Sequence, residues 1–354
     1  MITPGSKVLV TGCNGFAAIW VVRTLLEEGF AVRGTVRSAS KGEYLLEMFK
    51  SYGSKFELVV IPNIEIDGAF DEAVKGIDAI EHMASPYHWN ADDPDEIIQP
   101  AVRGTTGILQ STLNHGSNVQ RIMITSSTAA AVRSTEKPLI FTENDWNDEA
   151  IQTVQEQGRK ASNIFKYFAS KTLAERAAYE FYEKHKAAVN WDIVTIVPPG
   201  PFINETSSLS GANASIVAWH SAVLGGAMDA ATLANDGNAW MDVRDVAKAH
   251  VRAIQREEPI SSFFGWRSDL NGRVVAPFKW QDWGTFSRLS PAQRPRLALI
   301  FYCTVNAARA LSPAPYPASA ISVGTHLMML LARSICWIST HRRLSGFSGC
   351  QRTN

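Results

Sequence analysis

Tyr167 and Lys171 stand four residues apart in a stretch from Ser162 to Lys186 that is rich in Ala, Leu, Glu and Lys. Apolar residues recur there at three- and four-residue steps, which predicts one amphipathic helix. Residues four apart share a helix face, so the phenol and the ammonium are expected side by side. A cation within about 4 to 6 Å favours phenolate and lowers a tyrosine pKa from its reference of about 10. The pair is therefore a candidate proton donor.

The same spacing occurs again in Tyr182 and Lys186, near the end of the same predicted helix. At a rise of 1.5 Å per residue the two pairs lie roughly 22 Å apart, so they cannot serve one site. A helix that follows a parallel strand begins near the carboxyl edge of the sheet, where such folds bind ligands. This position favours Tyr167 and Lys171, and it predicts that Tyr182 packs and Lys186 is solvated.

A glycine-rich turn follows the first predicted strand, Lys7 to Thr11, and leads into a helical pattern from Ile19 to Glu28 and a second strand from Phe30 to Arg37. This order of elements predicts dinucleotide binding, because glycines let backbone N–H groups approach a pyrophosphate at a helix N-terminus. The alternative is a tight structural turn. The turn residues that we expect at the cofactor are Gly12, Asn14, Gly15 and Phe16.

The end of the second strand indicates which dinucleotide binds. NAD-binding units usually carry Asp or Glu about 20 residues beyond the glycines, to bind the ribose hydroxyls. This chain instead has Arg37, followed by Ser38 and Lys41. A guanidinium suits a 2′-phosphate, so the sequence predicts NADP(H). The alternative for Arg37 is a solvated charge at a strand end.

Further strands and helices alternate along the chain, which predicts an α/β fold with a Rossmann-type, doubly wound parallel sheet and a smaller C-terminal substrate-binding part. The predicted strands are Phe56 to Ile61, Ala79 to Met83, Gln120 to Thr125 and Trp191 to Val197. The predicted helices between them are a short one from Ala69 to Val74 and a longer one from Asp95 to Leu113.

Small and polar residues follow the fourth and fifth predicted strands. Ala84 and Ser85 leave room for a cofactor to pass. Ser127 lies at the carboxyl end of the fifth strand and is a candidate hydrogen-bond donor to a carbonyl oxygen, the alternative being a hydroxyl that caps backbone groups. His82 has no carboxylate partner visible in the sequence and is expected to pack.

Five motifs together resemble the extended short-chain dehydrogenases/reductases, and most of all their dihydroflavonol 4-reductase-like group with the fungal aldehyde and ketone reductases. The motifs are Thr11-Gly12-x-x-Gly15-Phe16, Arg37-Ser38, His82-x-Ala84-Ser85-Pro86, Thr125-Ser126-Ser127 and Tyr167-x-x-Ser170-Lys171-Thr172-x-Ala174-Glu175. Two more, Gly68 to Ala73 and Asp242 to His250, extend the resemblance to about Trp283. The last of these we interpret as structural, an acidic helix start followed by a buried face.

The resemblance implies roles for individual residues. Tyr167 would be the general acid, Ser127 would orient the substrate carbonyl, and Lys171 would lower the tyrosine pKa and bind the nicotinamide ribose. Asn63 and Ile64 stand where relatives carry an acidic and an apolar residue near the adenine. Pro198 begins the loop over the nicotinamide, and because Gly200-Pro201 follows at once, we expect that loop to be shortened or rerouted.

The predicted activity is NADPH-dependent reduction of a small-molecule ketone or aldehyde. Trp219 and Trp240 suggest a bulky apolar substrate. Two alternatives stay open: an NAD(P)-dependent 3β-hydroxysteroid or alcohol dehydrogenase, and a catalytically silent nucleotide-binding protein. We expect a monomer or a homodimer.

Composition narrows the class of protein further. The chain has 354 residues, of which 45% are hydrophobic and 19% charged, with a formal net charge of zero. Nothing in this balance suggests nucleic acid or an anionic membrane surface as a partner. The four cysteines show neither disulfide nor zinc spacing, so no metal is expected. No signal peptide is expected before Lys7, and the predicted location is cytoplasmic.

The predicted domains are an NADP-binding domain over 1–197, a substrate-binding part over 198–284 and an atypical tail over 285–354. The tail contains eight arginines but no lysine, aspartate or glutamate, whereas the rest carries 26 basic and 34 acidic residues. Three interpretations compete: a non-native coding sequence, such as a shifted frame or a retained intron; a divergent C-terminal subdomain; and a membrane anchor over Ala318 to Ile338. A mid-span arginine, Arg333, argues against the anchor.

Overall fold

The computed structural model describes residues 2–86, 90–135, 144–202, 237–255, 262–264 and 276–279, together with the single positions 141, 217 and 221. Trp219, the side chain of Trp240 and the whole tail over 285–354 lie outside the described residues, and with them the segment considered as a membrane anchor. In the described part, no helix has the length and apolar character needed to cross a membrane.

Seven parallel strands form the main sheet, in the order β3-β2-β1-β4-β5-β6-β9. A second sheet has the order β10-β8-β7. The predicted Rossmann-type doubly wound sheet is therefore confirmed. The strands are β1 Lys7–Val10, β2 Ala31–Val36, β3 Phe56–Val60, β4 Ala79–His82, β5 Arg121–Thr125, β6 Asp192–Val197, β7 Gly200–Phe202, β8 Gly237–Asp242, β9 Ser262–Phe264 and β10 Ala276–Lys279.

Helices cover both faces of the main sheet. Side chains alternate between the two faces along each strand, and apolar side chains on each face need a helix to bury them. Val8 and Val10 of β1 join the apolar cluster that contains α1 and α6, whereas Leu9 between them joins the cluster that contains α3 and α5. The helices are α1 Phe16–Glu27, α2 Glu43–Met48, α3 Asp95–His115, α4 Asp148–Gln157, α5 Asn163–His185 and α6 Val243–Gln255.

The strand order reverses between β1 and β4, which is where an open α/β sheet binds its ligand. Thr11, directly after β1, ties the two strand ends together. Its hydroxyl oxygen accepts hydrogen bonds from the backbone N–H groups of Met83, at 3.0 Å, and Ala84, at 2.9 Å. The two strand ends therefore form one fixed edge of the crevice.

Three elements differ from the sequence-based expectations. The predicted short helix from Ala69 to Val74 is a succession of turns, bounded by Gly68 and Gly76 in the left-handed region, at φ 76° and 69°. α2 and α4 were not expected. The interpretation of Asp242 to His250 as structural is confirmed, because α6 carries Asp245 in its first turn and packs a buried face on the sheet.

Candidate active site

Lys171 lies one helical turn after Tyr167 on α5, and its side chain is buried. Its Nζ donates to the carbonyl oxygen of Thr125 at 3.5 Å, at the carboxyl end of β5. Burial disfavours the charged form and lowers the Lys171 pKa to about 8, and the nearby Glu175 carboxyl acts against this fall. The ammonium is thus held at the floor of the crevice.

A small pocket encloses Lys171 at the point where β4, β5 and α5 meet. Its walls combine a cation, a carboxyl, an imidazole and several hydroxyls, which is an unusual density of polar groups for the inside of a protein. The lining residues are His82, Ala84, Ser85, Thr105, Ile124, Thr125, Ser126, Lys171, Ala174 and Glu175. The pocket therefore joins the predicted cofactor residue Ala84 to the predicted catalytic lysine.

Glu175 is the buried carboxyl of this pocket. One of its oxygens accepts a short hydrogen bond from the Ser126 hydroxyl, and the other accepts from the Thr195 hydroxyl at 3.0 Å. Burial raises the Glu175 pKa, while these two donors and the Lys171 charge act against the rise. The carboxyl thus links α5 to β5 and β6 directly beneath the crevice.

Ser127 follows β5 in an extended conformation and caps the 3₁₀ turn Thr128–Ala130. Its Oγ accepts from the backbone N–H of Ala129 at 3.2 Å, so the capping alternative is part of its role. Capping uses an acceptor site and leaves the hydroxyl proton available to a ligand. The adjacent backbone is fixed as well, because Thr128 N–H donates to the carbonyl of buried Pro198 at 3.1 Å.

Tyr167 is half-buried near the start of α5. It packs beside Phe168 against the apolar cluster between α3, α4 and α5. Tyr182, in the second pair of the same spacing, instead stacks on Trp191 with ring centroids 5.8 Å apart. Lys186 is exposed and pairs with Glu183 at 2.6 Å. The packing and solvation expected for the second pair are confirmed.

His82 is buried at the end of β4, and its Nδ1 lies 3.1 Å from the Thr11 hydroxyl oxygen. That oxygen already accepts from two backbone N–H groups, so its own proton points to Nδ1 and places the imidazole proton on Nε2. Burial, and then the Lys171 charge, lower the His82 pKa to about 3, so the ring is neutral. Nε2 has no hydrogen-bond partner among the described residues.

The glycine turn places backbone at the mouth of the crevice. Gly12 has φ +61°, and a Cβ there would lie 3.1 Å from the Cα of Ala84, so any other residue would be strained and crowded. Gly15 is the N-cap of α1, and no side chain caps this helix end. The backbone of Asn14 is fixed by a hydrogen bond, because its carbonyl oxygen accepts from the Tyr44 hydroxyl at 3.2 Å. The helix N-terminus, with Phe16 as its first residue, is therefore open to an anionic ligand.

Arg37 is exposed directly after β2, and Ser38 begins the 3₁₀ turn Ala39–Lys41. These residues lie at the carboxyl edge of the sheet, one strand away from the glycine turn. Asn63 also lies at this edge, after β3, where its Oδ1 accepts from Glu65 N–H at 2.9 Å. Ile64 packs against Gly104 of α3.

Comparison with known proteins identifies the chain. Residues 8–262 match the NAD dependent epimerase/dehydratase family. The chain belongs to this family. Its resemblance to the extended short-chain dehydrogenases/reductases is thereby confirmed.

Several of its relatives are named reductases. Ketoreductase azaE of Aspergillus niger is 37% identical over 265 residues, which cover 71% of this chain and 75% of that protein. NADPH-dependent methylglyoxal reductase GRE2 of Saccharomyces cerevisiae is 34% identical over 266 residues, which cover 72% of this chain and 75% of that protein. The solved structure of Gre2 from Candida albicans, in complex with NADPH, has a TM-score of 0.68 at 29% identity and covers 82% of this chain and 84% of that one.

Sequence reasoning about this member of the epimerase/dehydratase family missed Glu175 as a site residue, whereas the expected packing of His82 is confirmed, since its buried ring lies edge-on to Phe70. A signal for Glu175 was available, since Tyr167, Lys171, Glu175 and Tyr179 stand at successive four-residue steps along α5. The sequence carries no comparable signal for the contact between His82 and Thr11, because the two residues are 71 positions apart in the chain.

Proposed function

We propose that this chain is an NADPH-dependent reductase that acts on the carbonyl group of a ketone or an aldehyde. The observation that carries the proposal is Lys171, buried under the carboxyl edge of the sheet and one helical turn from Tyr167. The family and the reductases among the relatives support the same activity.

Each residue of the proposed catalytic set has a distinct task. The Ser127 hydroxyl donates a hydrogen bond to the carbonyl oxygen and fixes its position. Tyr167 gives that oxygen a proton, which is general acid catalysis. The Lys171 ammonium stabilises the phenolate that Tyr167 leaves behind and so lowers the tyrosine pKa.

NADP(H) fits the residues at the crevice, and when bound it supplies the hydride. Gly12 leaves no Cβ between the ends of β1 and β4, and the uncapped start of α1 offers its N–H groups to a pyrophosphate. Arg37, Ser38 and Lys41 would hold the 2′-phosphate. Asn63 and Ile64 would lie near the adenine, and Ala84 and Pro198 would border the nicotinamide half.

We also propose the finer properties of this reductase. The substrate is a bulky apolar carbonyl compound, the protein works in the cytoplasm as a monomer or a homodimer, and the substrate-binding part spans 198–284. The reductive direction follows from Arg37, because NADP pools usually favour reduction.

The proposal is tested by titrating the purified chain with NADPH and, separately, with NADH while following cofactor fluorescence. We expect saturable binding with a clear preference for NADPH, followed by NADPH consumption when ketones or aldehydes are added. Saturable binding with no turnover on any carbonyl compound would favour the catalytically silent alternative. Absence of binding would reject the reductase for this chain.

A further inference from the structure

Four titratable side chains follow one another at four-residue steps along α5: Tyr167, Lys171, Glu175 and Tyr179. Residues at this spacing share a helix face. The first two belong to the proposed catalytic set. Lys171 and Glu175 line the same pocket, and both are buried. Glu175 therefore stands behind the lysine, on the side away from Tyr167.

The hydrogen bonds around Glu175 all point toward its carboxyl group. Ser126 donates to one oxygen and Thr195 donates to the other. The Tyr179 hydroxyl lies 2.9 Å from the Thr195 hydroxyl oxygen, so with the Thr195 proton directed at Glu175, Tyr179 donates to Thr195. With hydroxyl donors at both oxygens and the Lys171 charge nearby, the surroundings favour the ionised carboxyl and oppose burial, which raises the Glu175 pKa.

The other titratable groups near this pocket are neutral or engaged elsewhere. His82 of β4 is neutral, and burial raises the Tyr179 pKa far above its usual range. Glu81 pairs with His250 of α6 at 2.7 Å, and Asp148 of α4 pairs with Arg176 on the exposed side of α5. Within the described residues, Lys171 is thus the cation that lines the pocket with Glu175.

We propose that Glu175 is a positioning residue: a buried counter-ion whose charge favours the ammonium form of Lys171 in the pocket that both residues line. This proposal rests on the proposed function, since it acts through Lys171. A charge of opposite sign favours the ammonium form in a site where burial disfavours it. The proton donor Tyr167 then has a cation one helical turn away at pH values below about 8.

The pH dependence of kcat/KM is the readout that a purely structural role would not move. The Glu175 charge raises the Lys171 pKa, whereas burial lowers it. Without that charge, the Lys171 pKa should fall further below about 8. In Glu175→Gln we expect the alkaline limb of the profile to move to lower pH by about one unit or more, with a larger activity loss at pH 8 than at pH 6. Glu175→Asp keeps the charge, so its alkaline limb should lie close to that of the unmodified chain.

Two control variants separate charge from hydrogen bonding. Glu180→Gln removes a carboxylate from the exposed side of the same helix and should leave the limb in place. Thr195→Val removes one hydrogen bond to Glu175 but keeps the carboxyl group, so it should lower stability and move the limb less than Glu175→Gln does. If Thr195→Val and Glu175→Gln gave the same profile, or if Glu175→Gln left the limb in place, the counter-ion role would be rejected.

Thermal unfolding gives a second measurement that needs no activity. Lys171→Met leaves a buried carboxyl without its cation, whereas Lys171→Met/Glu175→Gln is neutral. We expect the double variant to have the higher Tm of the two. A Tm for the double variant at or below that of Lys171→Met would overturn the proposal, even if Glu175→Gln alone did not fold.

The outcomes for this proposal and for the proposed function can be told apart. Absence of carbonyl reduction by the unmodified chain would refute the proposed function, and full activity in Tyr167→Phe and Lys171→Met would refute the assignment of these two residues. Loss of activity in both, together with an unmoved limb in Glu175→Gln, would refute the counter-ion role alone.

Discussion

The two ends of α5 carry the same pair of residues at the same spacing in different surroundings. At the first end, Lys171 is buried and its ammonium meets the carbonyl of Thr125 at the carboxyl edge of the sheet. At the last end, Lys186 is exposed and its ammonium meets the carboxylate of Glu183 one turn away. Tyr182 stacks on Trp191 and belongs to the apolar cluster under the sheet.

The difference shows that the Tyr-x-x-x-Lys spacing alone does not define a candidate active site. Burial at the carboxyl edge of the sheet distinguishes the first pair from the second. Burial lowers the Lys171 pKa to about 8, which lies close to physiological pH. For exposed Lys186, the hydrogen bond from its ammonium to Glu183 raises the pKa instead. The lysine near the start of α5 can therefore change its charge near physiological pH, whereas Lys186 near the end stays charged and solvated.

The largest effect is expected from removing one phenol at each end. Tyr167→Phe should lower kcat by about a hundred- to ten-thousand-fold, the contribution of a general acid, while NADPH binding stays nearly intact. Tyr182→Phe should change kcat little. The measurement is steady-state reduction of a carbonyl substrate with a parallel NADPH titration. Equal losses of activity in the two variants would contradict the assignment of Tyr167.

A smaller effect is expected from reversing one positive charge at each edge of the fold. Arg37→Asp should weaken NADPH by about tenfold or more relative to NADH, because a charge-assisted contact to a phosphate contributes about 1.5 to 3 kcal/mol. Lys184→Asp makes the same charge change on an exposed residue at the far end of α5. Dissociation constants for both cofactors check this. An unchanged NADPH preference in Arg37→Asp would remove Arg37 from the phosphate site.

A further effect concerns the pH dependence of stability at the carboxyl edge. The His82 pKa is lowered to about 3 in the folded state from its ordinary value of 6.5, so below pH 6.5 the unfolded chain binds a proton that the folded chain does not. Stability should therefore fall with pH between about 6 and 4, with His82 contributing about 1.4 kcal/mol per pH unit.

For this effect we compare the loss of His82, at the carboxyl edge of the sheet, with the loss of His185, at the far end of α5. His82→Asn should flatten the acid slope of the free energy of unfolding, measured with urea at several pH values. His185→Asn, at the far end of α5, serves as the control for losing an imidazole. A slope that His82→Asn leaves unchanged would mean that the folded state already accommodates a charged His82.

Several site features could be read from the sequence because they depend on local order. The glycine turn at Gly12, the charge at Arg37 and the choice between Tyr167 and Tyr182 all follow from where a strand ends or a helix begins. The helix predicted from Ala69 to Val74 was wrong, because left-handed glycines at both ends turn the chain too tightly for a helix to propagate.

By itself, the sequence determined the alternation of strands and helices, and it yielded the proposals of NADP(H) as cofactor and of Tyr167 and Lys171 as the catalytic pair, since each depends on residue types at short spacing. Only the tertiary structure decided what surrounds Lys171. His82 ends β4 and Ser126 follows β5, and both line the pocket with Lys171. Glu175 becomes a buried carboxyl only when α5 packs on β5 and β6, where Thr195 of β6 donates to it. The pKa values of the pocket are set by burial and by these distant partners, which no spacing along the chain records.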